Sequence, residues 1–225
     1  MTLPGSLPEL VHRIESGDRL PAHPWLSVLP AAGTPVVLAF PGHAVVATGL
    51  DPEWVRGQLL PDADLSAPLN PPFLSACEQQ LGRRVNNLDG LYLASPLAGP
   101  PAESLRLREV TDSAHPRVRR ARRTRPELRI WHTDEGVLIV GRGLAGRWEA
   151  AVEVPPHARA RGLGRGLARA ARQLVPAGRP VWAQIAPGNA ASVRAFLAAG
   201  YRPVGAEALF TGPAVGGSAG PAGRL

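Results

Sequence analysis

The sequence predicts an α/β chain of the α+β kind: a mostly antiparallel mixed sheet flanked by helices, with an additional α/β unit before it. Three observations predict this. Between residues 105 and 154, short apolar runs follow one another with turn signals between them, as antiparallel strands do. From residue 163 onward, helical spacing of apolar residues alternates with a single strand. Between them and the N-terminal part lies "SPLAGPPAES", residues 95–104, whose Pro, Gly and Ala suit a linker or long surface loop. The expected division is therefore residues 1–100 as an N-terminal α/β domain and 104–211 as the second domain. A Gly/Ala/Pro-rich tail over 212–225 is expected to be disordered.

Taken in order, Ser6 and Glu9 have capping-box spacing, Leu7, Leu10, Val11 and Ile14 form a helical stripe, and Gly17 can close that helix. Residues 28–50 lack any Asp, Glu, Lys or Arg, about the length a bilayer crossing needs. Pro30, Gly33, Pro35, Pro41 and Gly42 break that stretch into "VVLAF" and "AVVAT", which predicts two buried strands joined at Pro41-Gly42-His43 instead. Asp51-Pro52 starts a second helix, since Asp accepts orphan amides and proline fits the first helical position. A third spans 73–81 and ends at Gly82, and "LDGLYLA", 88–94, reads as a strand. After the linker come a strand over 105–110 and an arginine-rich helix over about 114–125, followed by "LRIWHT", "GVLIVGRG" and "RWEAAVEV" as three strands.

Composition limits the functions available. The chain has 225 residues and a formal charge of +7, all of its basic residues being arginine, which favours anionic ligands without naming one. Cys77 is the single cysteine, so no internal disulfide and no multi-thiolate zinc site can form, and no metal site is expected. The N-terminus has no signal-peptide pattern; a cytoplasmic protein without a membrane segment is the expectation. The run "RVRRARRTR", 117–125, lacks interleaved aromatics and reads as a solvated helix face, so a nucleic-acid interface is not expected.

The informative stretch is "VEVPPHARARGLGRGLARAAR", residues 152–172. A strand ending at Pro155-Pro156 must leave its ladder, because proline offers no amide. A helix with Leu163, Leu167, Ala170, Ala171 and Leu174 on one face then begins inside "RARGLGR". Glycines there permit close approach to a ligand, and a helix start presents unpaired amides with partial positive charge, which suits a pyrophosphate. A packing role for the same glycines reads equally well on this segment alone.

A second segment, "VWAQIAPGNAASVRAFLAAGY", predicts a strand, a helix capped by Asn189 and an exit at Gly200. Together the two segments resemble the GNAT superfamily of acyl-CoA-dependent N-acyltransferases. Val154, Pro156, Arg159, Gly162 and Gly164 stand at each position of that family's phosphate loop, and Asn189, Ser192, Phe196, Gly200 and Tyr201 at those of its later motif. The resemblance covers about half the chain and implies a sheet whose central strands splay apart to admit the pantetheine arm of acetyl-CoA or a related acyl-CoA.

The same resemblance implies the site. Val152, Glu153 and Val154 would line the arm; the amides of Arg159, Ala160, Arg161, Gly162, Leu163, Gly164 and Arg165 would hold the pyrophosphate; Asn189 and Ser192 would meet the cofactor further along. The acceptor, a small-molecule or peptide amine, would attack the thioester directly in a ternary complex. Glu149 or Glu153, which share a strand face, would serve as base. Two departures stand out. Leu197 occupies the position where many members carry a thiolate-protonating tyrosine, with Tyr92 the one tyrosine elsewhere available to replace it and Tyr201 expected in the core. Between the first and second strands of the second domain, residues 114–128 have helical potential for one short helix where the family usually has two. The N-terminal half is therefore expected to shape the acceptor site. The alternatives are a noncatalytic acyl-CoA sensor and an arginine-rich nucleic-acid-binding protein.

Overall fold

The computed structural model describes residues 3–59 and 65–213. Among them, ten strands form one continuous sheet. In chain order the strands are β1 (Leu26–Val28), β2 (Val36–Phe40), β3 (His43–Ala47), β4 (Arg83–Ala94), β5 (Arg108–Val110), β6 (Leu128–His132), β7 (Val137–Arg142), β8 (Trp148–Glu153), β9 (Val181–Ile185) and β10 (Arg202–Pro213). The helices are α1 (Leu7–Ser16), α2 (Pro52–Gln58), α3 (Pro71–Leu81), α4 (Pro116–Arg122), α5 (Leu163–Leu174) and α6 (Ala190–Ala198). Across the sheet the strands run β1, β3, β2, β10, β4, β9, β8, β7, β6, β5, with parallel pairing at β1/β3 and β8/β9 and antiparallel pairing elsewhere.

Local chemistry accounts for most of these elements. Ser6 Oγ accepts the Glu9 amide at 3.3 Å, and Glu9 reaches back to the Gly5 amide at 2.8 Å, one residue earlier than a standard capping box. Gly17 closes α1 with φ of 81°, a conformation that suits glycine. The β2–β3 turn is Pro41-Gly42, and His43 belongs to β3. Asp51 caps α2 through the Trp54 amide at 2.8 Å.

Three expectations need correcting. The first concerns domains: β4, from the N-terminal half, lies between β9 and β10 of the C-terminal half, so both halves share one sheet. The 95–104 segment is a strap along α5, with the Leu97 amide on the Arg172 carbonyl and Gln173 Nε2 on the Pro100 carbonyl. Second, the helix expected over 114–125 is only Pro116–Arg122, and the strand over 105–110 only Arg108–Val110, because Glu103–Leu105 is a 3-10 turn. Third, the tail expected from 212 loses its first two residues to β10; the remainder lies outside the described residues.

Helices cover both faces. On one, α5 and α6 bury Leu167, Ala168 and Phe196 against Val140, Ala150, Val181 and Ala183, while α2 and α3 bury Val55, Phe73 and Cys77 against Val37, Val46 and Phe210. On the other, α1 sets Leu7, Leu10 and Ile14 over Leu38, Leu91 and Trp182, and α4 sets Val118 and Ala121 over Ile130, Ile139 and Ala151. Between α1 and α4 the sheet carries a strip of charged residues. Among the described residues, no helix is long and apolar enough to cross a membrane.

Candidate functional site

Strands β8 and β9 begin side by side and then part. Their parallel register holds for Trp148 with Val181 and Glu149 with Trp182, and no pair follows. Strand β8 runs on beside β7 to Glu153, while β9 runs on beside β4 to Ile185. Residues 150–153 and 183–185 therefore face each other across a wedge without a shared ladder. An unpaired strand edge there offers amides and carbonyls to an extended ligand with hydrogen-bonding groups.

The vertex of the wedge is pinned on the α1/α4 face by a buried charge network. Glu149 (3% exposed) accepts from Arg147 Nε at 2.7 Å, Arg125 Nε at 2.8 Å and Gln184 Nε2 at 3.0 Å. Arg147 (2% exposed) donates through Nη2 to both carboxylate oxygens of Glu207, at 2.8 and 3.1 Å, and its guanidinium carbon lies 5.1 Å from the centre of the Trp182 ring. Gln184 Nε2 also donates to Glu207 Oε1 at 2.8 Å, and its oxygen accepts from Arg125 Nη2 at 3.1 Å. Gly143 makes room for this arrangement: a Cβ there would fall inside the Glu149 carboxylate.

Electrostatics sorts these acids. Burial pushes Glu149 upward, but the charges of Arg147 and Arg125 outweigh it and hold the carboxylate below its ordinary range. Burial also dominates Glu207, which lies above its ordinary range because Arg147 and Gln184 only partly offset it. Glu149 was one of two expected bases. Satisfied by two guanidinium groups, it is a structural anion and a poor proton acceptor. Glu153, the other, is exposed at the end of β8, with no hydrogen bond or ion pair among the described residues.

Sequence reasoning missed Asp89. It sits on β4 opposite Glu207 of β10, next to Gly90, which pairs with Ile185 at the open end of β9. Asp89 is half-buried, accepts from Asn87 Nδ2 at 2.9 Å, and has no guanidinium in contact among the described residues. Burial raises its pKa; the Asn87 hydrogen bond and the charges of Arg117 and Arg147 only partly oppose this, and Glu149 adds to it. Its sequence signal was weak. An acid inside "LDGLYLA" marks a polar position on a strand, but β4's neighbours are set by long-range pairing.

On the α5/α6 side, the residues expected to form a phosphate loop lie at the end of β8, at one end of the wedge. Strand β8 ends at Glu153, as Pro155-Pro156 requires, and Arg159 Nε ties the loop back to the Val154 carbonyl at 3.1 Å. Ala160 and Gly162 both have positive φ, 62° and 81°. Gly162 is the N-cap of α5, no side chain caps the helix, and the first helical bond runs from the Gly166 amide to the Gly162 carbonyl at 2.9 Å. The Leu163, Gly164 and Arg165 amides thus have no intrahelical acceptor. Arg159, Arg161 and Arg165 are exposed, and Val152 and Val154 are half-buried beside the α5 core.

Asn189 caps α6 by accepting the Ser192 amide at 3.2 Å, so the two are partners in a helix start near the open end of β9. Leu197 is 43% exposed, and Tyr201 is buried, donating to the Ala168 carbonyl at 3.2 Å. Tyr92 lies on β4 beside Ala183, on the α5/α6 face of the wedge. Its ring folds over Gly90, where a Cβ would lie 3.1 Å from it, and its hydroxyl has no partner among the described residues. Cys77 is fully buried and its thiol is pushed up to about 12, which makes it inert.

Of the arginine run, Arg122 pairs with Asp112 and Arg125 with Glu149, while Arg117 is half-buried; three of the positions expected to be solvated are instead engaged or partly covered in the structure. Among the described residues, no group of three or more His, Cys, Asp or Glu is placed to hold a metal ion. A cavity of about 390 Å³ lies between Pro101, Glu103, Arg106 and Trp131, and one of about 340 Å³ beside Arg122 and Pro126. No residue of 150–153 or 183–185 lines either cavity, but Arg125 lines the second and also holds Glu149 at the vertex of the wedge.

No family model and no curated protein matches the chain. Solved structures similar to it include a GCN5-related N-acetyltransferase from Kribbella flavida, 19% identical over 65% of each chain with a TM-score of 0.41. An acetyltransferase from the GNAT family of Novosphingobium aromaticivorans is 18% identical over 59% of this chain and 68% of its own, with a TM-score of 0.44. A GCN5-related N-acetyltransferase from Sphaerobacter thermophilus is 14% identical over 60% and 54%, with a TM-score of 0.38. The chain thus spans 65% of the first of these proteins. At such identities and overlaps the likeness carries no weight for function, which has to be argued from the chain's own wedge, loop and charged strip.

Proposed function

We propose that this chain is an acyl-CoA-dependent N-acyltransferase of the GNAT type, with acetyl-CoA as the donor to be tested first. The single observation that carries the reading is the parting of β8 and β9 after Glu149 and Trp182, with the uncapped start of α5 at its end. The residues fit the donor. The edge of 150–153 that faces β9, unpaired there although the other edge is laddered to β7, suits an amide-bearing arm, and the free amides of Leu163, Gly164 and Arg165 suit a diphosphate. Exposed Arg159, Arg161 and Arg165 add positive charge around it.

In this reading the acceptor approaches from the α1/α4 face. Alkylamines are protonated near neutral pH, so a base must remove a proton before nitrogen can attack. Asp89 serves as that base, directly or through a water, with Glu153 as a second carboxylate at the same opening. The amine nitrogen bonds to the thioester carbonyl carbon, the carbon–sulfur bond breaks with its electron pair leaving on sulfur, and the nitrogen gives up its second proton to solvent as the amide forms, solvent in turn reprotonating Tyr92 after it has donated. Tyr92, on the opposite face with its hydroxyl unpartnered among the described residues, returns a proton to the thiolate in place of a residue at 197.

The test is to titrate acetyl-CoA calorimetrically and then screen a panel of amines for release of free thiol. Binding with thiol release for at least one amine supports the reading. Binding without release for any amine identifies a sensor, and no binding removes the reading altogether.

A further inference from the structure

Among the described residues, Arg117 is the one half-buried arginine of the charged strip that holds no partner. Its neighbours Arg125 and Arg147 are each fixed by carboxylates. The Arg117 guanidinium, by contrast, has no hydrogen bond and no ion pair among the described residues, although its side chain is half-buried beside Val118 on α4. Partial burial of an unpaired cation is unfavourable unless an anion arrives. Asp89 on β4 and Glu153 on β8 are close enough to Arg117 to interact electrostatically, and neither contacts a guanidinium. Geometry puts all three on one face: α4 packs Val118 against Ala151 of β8, Glu153 lies two residues further along that strand, and Asp89 stands opposite Glu207 of the charged strip, so one unpaired cation and two carboxylates without a guanidinium partner share the α1/α4 face where the wedge opens.

We propose that the acceptor is a zwitterion, a free α-amino acid or a close analogue, whose carboxylate binds Arg117 while its amine points to Asp89 and Glu153. This rests on the acyltransferase reading and adds the acceptor class to it. Guanidinium recognises a carboxylate through two parallel hydrogen bonds, which orients the molecule as well as attracting it. The two acids match the ammonium end, so both charges of the acceptor are complemented while either charge alone would leave one side of the opening unpaired. A plain alkylamine leaves Arg117 unmatched, and a polyamine or lysine-rich peptide is repelled by it.

The experiment compares thiol release from acetyl-CoA with standard amino acids, with their decarboxylated amines and with their methyl esters. It is run on the wild-type protein and on Arg117→Gln and Arg117→Lys. The proposal expects at least one amino acid to be acetylated, with KM higher by about tenfold or more for its amine and ester. Arg117→Gln should raise KM for the amino acid by about tenfold or more while changing KM for the amine and the ester much less, and Arg117→Lys should restore part of the loss. Because Arg117 is a partly buried cation with no partner to lose among the described residues, Arg117→Gln should unfold at or above the wild-type temperature and Arg117→Lys close to it. Amines or esters accepted as well as amino acids, or an unchanged KM in Arg117→Gln, overturn the zwitterion while leaving acyl transfer standing. If acetyl-CoA itself does not bind, the acyltransferase reading falls first and takes this inference with it.

Discussion

Glu149 of β8 and Trp182 of β9 form the last pair before the two strands part, and the same Glu149 anchors Arg125, Arg147 and Gln184. The vertex of the wedge and the centre of the buried charge network are thus one place. Trp182 is held from the other side, its indole nitrogen donating to Glu15 Oε1 at 2.9 Å at the end of α1. The network fixes where the strands separate as much as it contributes stability, since buried ion pairs mostly offset their own desolvation.

Removing one member should show this. Arg147→Leu leaves Glu207 with only Gln184 and Glu149 with one guanidinium, and should cost about 3–5 kcal/mol of unfolding free energy. Arg147→Leu combined with Glu207→Leu should cost clearly less than the sum of the two single variants, because no buried carboxylate loses its charge partner without also being removed except Glu149, which keeps Arg125. Urea unfolding of the three variants checks both statements.

Gly143→Ala should destabilise by about 1–3 kcal/mol, since the new methyl displaces the Glu149 carboxylate from its partners. The same substitution at Gly164 should be harmless. A Cβ there meets Ala195 Cβ at 3.7 Å and Val154 Cγ2 at 3.9 Å, ordinary contacts, and Ala is favoured over Gly inside a helix by roughly 0.5–1 kcal/mol. Thermal unfolding distinguishes the two, and Gly164→Ala should also retain acetyl-CoA affinity because its methyl faces Ala195 and Val154. Gly162, with φ of 81°, should lose about 1 kcal/mol on change to Ala and bind the donor more weakly.

Asp89→Asn should stabilise the protein at neutral pH and weaken catalysis. Burial raises the Asp89 pKa in the folded state, so protons bind more tightly there than in the unfolded chain. Its contribution to stability is fully present below the unfolded value near 3.8 and is lost as pH rises through the folded value. The charged groups acting on it are Arg117 on α4, Arg147 before β8 and Glu149 on β8, with Glu207 opposite on β10. An uncharged amide at this position carries no such penalty, so the variant's stability should fall less between acid and neutral pH. Loss of a general base lowers kcat by about 10²–10⁴-fold. Unchanged kcat in Asp89→Asn would reassign the base to Glu153.

Tyr92→Phe should reduce kcat without changing acetyl-CoA affinity, because the hydroxyl makes no contact that holds the fold among the described residues. Steady-state kinetics beside calorimetry checks the assignment: thiol release should slow while the acetyl-CoA dissociation constant stays at the wild-type value.

Much of this architecture was legible in the chain. The Ser6 and Asp51 caps, the Pro41-Gly42 turn, the end of β8 at Glu153 and the start of α5 at Gly162 follow from local chemistry. What was not legible is long-range. Nothing local in "LDGLYLA" says that β4 fits between β9 and β10, so neither the shared sheet nor the place of Asp89 could be read from it. Glu207 in "GAEALF" and Gln184 in "VWAQI" are polar residues inside apolar strands, a sign of a buried partner but not of which one. Glu149 illustrates the converse: Glu149 does project from the strand as expected, but Arg147 from the same segment and Arg125 from a distant one occupy its carboxylate.

The account depends most on the wedge taking the donor, and amide hydrogen exchange with and without acetyl-CoA addresses that directly. Added acetyl-CoA should slow exchange at residues 150–153 and at 163–165 while leaving β6 unchanged. Saturating acetyl-CoA that leaves both segments exchanging as before, or that protects a different part of the sheet instead, would contradict it.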